Sequence, residues 1–133
     1  GSEMCIRDRS LIVVKKIAIT FITLAYMTLI TIISLSNFDS ASKFQFPHMD
    51  KLIHCLIYFI FYLLVFNTTK VYKLKKSLII SIIFSIGFGI LIEVCQPNFT
   101  LNRQFEVLDI LANTAGVFLM VILINSRSSL IKY

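Results

Sequence analysis

The polar residues that could do chemistry fall in three short patterns: Asp50-Lys51-x-x-His54-x-x-x-Tyr58, Glu93-x-x-Gln96, and Arg103 ahead of Asp109-x-x-x-Asn113-x-x-Gly116. Glu93 or Asp109 with His54 offers general acid–base work on a lipid or glycan, as transfer or hydrolysis. Lys51 and Arg103 offer positive charge to an anion, and Tyr58 and Phe105 offer aromatic walls. Asp50, His54, Glu93 and Asp109 are also metal-ligand types. No HExxH or paired-histidine spacing accompanies them, and the other histidine is His48, so no metal or other cofactor is expected. A serine nucleophile is weaker still, because Ser81 and Ser85 sit deep on an apolar stretch. A phosphate-cradling glycine loop is missing from the sequence.

The surroundings of these residues are unusual. The chain is 57% hydrophobic and 15% charged, with a mean hydropathy of +0.85, whereas a soluble domain is about 45–50% apolar and about 25% charged. That composition excludes an ordinary soluble enzyme and implies a membrane protein. At 133 residues a single bundle is expected, with no separate soluble domain. The net charge of +6 does not imply nucleic acid, because the basic residues sit between apolar runs and read as topology signals. Cys55 and Cys95 lie within apolar runs and outside any CxxC, and read as small buried residues, with a disulfide between them as the alternative.

Residues 1–10 read as a non-native leader, charged, aperiodic and disordered or artefactual, so residues 11–133 form the expected domain. Four apolar runs follow, giving membrane helices at about 17–35, 50–66, 77–95 and 107–125, the third stopped by Pro97. The first can alternatively be read as a signal peptide with a weak cleavage site. Lys15 and Lys16, the group Lys70, Lys73, Lys75 and Lys76, and Arg127 and Lys132 alternate with loops poorer in basic residues. The positive-inside rule then predicts an all-α, four-span bundle with both termini cytoplasmic, in the plasma membrane if the cell is bacterial.

With this topology the polar patterns reach one depth. At about 1.5 Å per residue, Glu93 lies about 25 Å above Lys76, His54 about 6 Å below Asp50, and Asn113 about 6 Å below Asp109. Each pattern also follows one helical face: Asp50, His54 and Tyr58; Ser81, Ser85, Gly89 and Glu93, with Gln96; and Asp109, Asn113 and Gly116. The first helix has scattered threonines, Thr20, Thr23, Thr28 and Thr31, and is expected to serve as packing. Glu93 sits at a helix C-terminus, where the dipole opposes its charge, so it needs a cation such as Arg103 or Lys51, or a proton.

The combined patterns, from about Pro47 to the end of the fourth run, resemble the VanZ-like family of small bacterial membrane proteins. That resemblance implies a four-span membrane fold and kinship with a protein linked to low-level teicoplanin resistance, but it supplies no reaction. Three functions stay open. One is binding of an anionic lipid headgroup or lipid-linked envelope precursor at an outer-leaflet site built from Asp50, Lys51, Tyr58, Gln96, Arg103 and Asn113. The second is acid–base catalysis on an envelope lipid or glycan by Glu93, Asp109 and His54. The third is a closed polar network that only pins the helices. Membrane lipid is the expected partner in the first two.

Overall fold

A computed structural model describes residues 2–36, 49–101 and 104–131, with side chains described over 5–36, 49–101 and 104–128. Four helices follow in order: α1 (Ser2–Leu35), α2 (Met49–Val71), α3 (Ser77–Phe99) and α4 (Val107–Ile131). All four are long and apolar enough to cross a membrane. Large side chains such as Ile83, Leu91, Leu111 and Ile122 point outward, as lipid-facing positions require.

The helices exceed their expected bounds. α1 starts at Ser2 and carries the leader as helix, exposed over residues 5–10, because extending a formed helix fixes one residue per bond and needs no new nucleus. α2 runs past Phe66 to Val71, and within this extension the Thr68 and Thr69 hydroxyls are satisfied by donating to the Leu64 and Phe66 carbonyls. α3 passes through Pro97 and ends at Phe99, where the Thr100 amide donates to the Gln96 carbonyl at 2.9 Å. Pro97 has no amide for the ladder and its ring crowds the carbonyl four residues back, so the helix is weakened there and ends two residues later rather than stopping at once. α4 continues to Ile131, beyond the apolar stretch that marks the span.

α2 joins α3 through a turn at the lysine group, in which Lys73 (φ 55°) and Lys76 (φ 61°) take the left-handed conformation. The up–down order makes α2 and α4 parallel, and these two helices form the most extensive contact in the bundle. Gly116 permits it: a Cβ there would stand 2.1 Å from the Cys55 carbonyl oxygen and 3.0 Å from the Phe59 amide nitrogen. α3 packs against both, and α1 lies against α2 and α3 with most of its surface outward. The core is aromatic and aliphatic, built from Tyr58, Phe61, Tyr62, Val65, Val117 and Met120. Cys55 and Cys95 are half-buried free thiols, less buried than expected from sequence and not joined in the alternative disulfide.

The bundle has two unlike ends. At the lysine end α2 finishes and α3 begins, and Lys16 lies over the Tyr72 ring at 5.7 Å. At the acidic end α2 and α4 begin and α3 finishes, which gathers Asp50, Glu93, Glu106 and Asp109.

Candidate functional site at the acidic end

The parallel arrangement of α2 and α4 sets their polar stripes side by side. Asp50, Lys51 and His54 from the first turns of α2 meet Asp109 from the first turn of α4. Carboxylates suit this place, since two helix N-termini carry partial positive charge there. The Lys51 ammonium donates to Glu106 and to Asp109 Oδ1, and Asp50 Oδ2 lies 3.7 Å away. Lys51 therefore answers α4 and the residue just before it. Glu106 is the functional candidate that sequence reasoning missed. Its signal was an acid immediately ahead of a helix, across from a lysine in the first turn of another.

His54 is buried beneath this rim, at 9% exposure. Its Nε2 stands 3.7 Å from Asp50 Oδ1 and 4.0 Å from Asp109 Oδ2. Both separations exceed a hydrogen bond, which for N–H to O is about 2.7–3.2 Å. Asp50, His54 and Asp109 thus form a set whose ligand-type atoms all lie within 4.8 Å of one another. The sequence offered no metal spacing because the set is split between two helices and closes only when α2 and α4 pack. The rim is open: the side chains of Asp50 and Glu106 are 56% and 54% exposed, while that of Asp109 is 8%.

Further in, Glu93 is buried, then Tyr58 and Asn113 around Gly89 one turn below it, and Ser85 a turn deeper still. A Cβ on Gly89 would lie 3.1 Å from Tyr58 Cε1 and 3.3 Å from Asn113 Nδ2, so this glycine makes room for both. Glu93 is fully enclosed and interacts electrostatically with Tyr58. Among the described residues Tyr58 Oη, Ser85 Oγ and Asn113 Oδ1 are buried with no hydrogen-bond partner. Each such atom costs about 1–3 kcal/mol of unrecovered desolvation.

The stripe Ser81, Ser85, Gly89, Glu93 and Gln96 is buried throughout, as its spacing predicts. Gln96 takes a separate part: its Nε2 donates to the Ser34 carbonyl at 3.3 Å and ties α3 to α1. Arg103, expected beside Lys51 as the second cation for Glu93, lies outside the described residues, as does the loop 37–48. A cavity of about 230 Å³ lies away from the site, between α1, α2 and α3, lined by Thr23, Met27, Val65, Thr69 and Phe84 among others.

Comparison with known proteins places the chain. No curated protein and no solved structure matches it. The VanZ/LLP1 family profile matches residues 7–130, nearly the whole four-helix span and every site residue named above. This multi-pass membrane protein belongs to the VanZ/LLP1 family.

Proposed function

We propose that the acidic end binds the polar head of a cell-envelope lipid or lipid-linked envelope precursor, with that end at the outer leaflet of a bacterial plasma membrane. The supporting observation is the unused hydrogen-bonding capacity of Tyr58 and Asn113 below an open charged rim. A network kept only to pin helices gains nothing from atoms it leaves unanswered. A headgroup entering past Asp50 and Glu106 brings donors and acceptors to that layer. The orientation draws support from the lysines at the opposite end, which follow the positive-inside rule.

Lys51 already faces Asp50, Glu106 and Asp109, so it has little attraction left for an anion. The helix N-termini of α2 and α4 supply part of the missing positive charge. Purified protein in nanodiscs, titrated with phosphatidylglycerol and with a lipid-linked precursor, tests the reading. Asn113→Leu and Arg103→Ala are expected to lose headgroup binding while keeping helical content. Unchanged binding in both variants rejects the proposal. In cells the same variants would be scored for teicoplanin susceptibility.

A second reading, acid–base transfer or hydrolysis on an envelope lipid or glycan, draws support from the position of His54 between two carboxylates. Glu93→Gln keeps size and hydrogen bonding but cannot transfer a proton. Loss of product formation with retained headgroup binding supports catalysis, and normal turnover in that variant removes Glu93 from it.

A further inference from the structure

We infer that Asp50, His54 and Asp109 hold a divalent cation, and that this ion attracts the anionic part of the headgroup to the acidic end. The role assigned to the ion rests on the headgroup reading; the ion site itself does not.

Geometry is the first support. Metal bonds of about 2.0–2.1 Å to nitrogen and oxygen place neighbouring tetrahedral ligands about 3.4 Å apart. The separations from His54 Nε2, 3.7 Å to Asp50 Oδ1 and 4.0 Å to Asp109 Oδ2, are too long for hydrogen bonds and only a few tenths of an ångström wider than that edge. A rotation of exposed Asp50 closes the first gap, and the second requires a shift of a few tenths of an ångström between His54 and Asp109. His54 is 9% exposed, and its Nε2 is turned into the set without a hydrogen-bond partner among the described residues. An imidazole nitrogen facing two carboxylates is a common metal ligand.

Charge is the second support. Around Lys51 stand Asp50, Glu106 and Asp109, so carboxylates outnumber the ammonium by two. A divalent ion neutralises that excess. The two cations need not compete for the same atoms. Lys51 faces Asp109 Oδ1 and Asp50 Oδ2, whereas His54 faces Asp109 Oδ2 and Asp50 Oδ1. Each aspartate thus has one oxygen toward the lysine and one toward the ion.

The ligand set also limits the class of ion. One imidazole and two carboxylates suit zinc or manganese better than calcium, which prefers oxygen ligands alone. Three protein ligands leave a position open, and the exposed Asp50 side directs it to the surface. A phosphate oxygen arriving there meets positive charge in a site whose side chains would otherwise repel it.

The test uses tag-free protein in phosphatidylcholine nanodiscs, with Cys5→Ser throughout because an exposed free thiol is a zinc-ligand type outside the site. After chelator treatment, zinc is titrated and retained metal is measured by mass spectrometry. One zinc per chain is expected, with at least a tenfold loss of affinity in His54→Gln and in Asp109→Asn. Lys51→Met should bind zinc more tightly, because a competing positive charge is gone. Circular dichroism and elution volume establish that each variant folds. Zinc retention equal to that of His54→Gln overturns the site, as does weaker binding in folded Lys51→Met. A second titration adds phosphatidylglycerol with and without zinc. Zinc-dependent binding supports the bridging role. Headgroup binding that persists in chelator, on protein that retains no zinc, overturns the inference and leaves the headgroup reading standing. Zinc binding with no headgroup binding in either condition supports the ion site and overturns the bridging role together with that reading.

Discussion

The two ends of the bundle handle buried polar groups in opposite ways. At the lysine end every named hydroxyl has a near partner. Thr23 Oγ1 donates to the Ile19 carbonyl or pairs with Thr68 Oγ1, both at 2.8 Å. Ser81 Oγ donates to the Ser77 carbonyl at 2.7 Å and meets Thr69 Oγ1 at 3.1 Å, and Thr20 Oγ1 donates to the Lys16 carbonyl at 2.7 Å. At the acidic end charged groups meet across helices, while Tyr58 Oη and Asn113 Oδ1 have no partner among the described residues; Ser85 Oγ, also without one, lies midway between the two ends. The first end is a fastening, in which a polar atom costs nothing because backbone lies beside it. The second retains polar atoms that folding does not use, and such atoms persist where function needs them.

The largest effect is expected where the acidic end is assembled. Gly116→Val would push side-chain carbons into the α2 backbone at Cys55, and backbone cannot yield as a flexible side chain does. Overpacking of this kind costs about 3 kcal/mol. Thermal unfolding in detergent should show the lowest midpoint of the variants named here. A wild-type midpoint would mean that α2 and α4 do not approach so closely, and the site would lose its scaffold.

Asp109→Ala comes next, because that carboxylate serves both Lys51 and His54. Removing it leaves a half-buried lysine and a buried histidine facing one fewer acid. A stability loss of about 1–3 kcal/mol is expected, with headgroup binding abolished. Retention of binding would assign function to some other surface.

Ser81→Ala probes the fastening end. Interhelical hydrogen bonds in membranes average about 0.6 kcal/mol, and Thr69 keeps its bond to the Phe66 carbonyl in this variant. A small fall in the unfolding midpoint with unchanged binding is expected. Impaired binding would show that the two ends are coupled, and the contrast between them would fail.

Much of this contrast was legible before any coordinates. The spacing of Ser81, Ser85, Gly89 and Glu93 announces a single buried face, and the bundle buries it. The same logic aligns Asp50, His54 and Tyr58, and the four apolar runs give four spanning helices. Helix ends were less legible, because the polar run Asn67-Thr68-Thr69 looks like a stop until its threonines bond their own backbone. Pairing between helices was least legible. The partners of Lys51 depend on α2 and α4 being parallel neighbours, and no local pattern states which helices touch. For the same reason the topology puts Glu106 at this end without naming its partner, and the metal-ligand types Asp50, His54 and Asp109, grouped with Glu93 in the sequence, lack a spacing that shows which of them meet.

The most direct measurement pairs stability with binding in Tyr58→Phe. The substitution keeps the ring against Phe61 and deletes only Oη, an atom with no partner among the described residues. The account predicts an unfolding midpoint equal to or above wild type, together with weaker headgroup binding. A clearly lower midpoint with unchanged binding would contradict it, because the hydroxyl would then serve the fold and not a ligand.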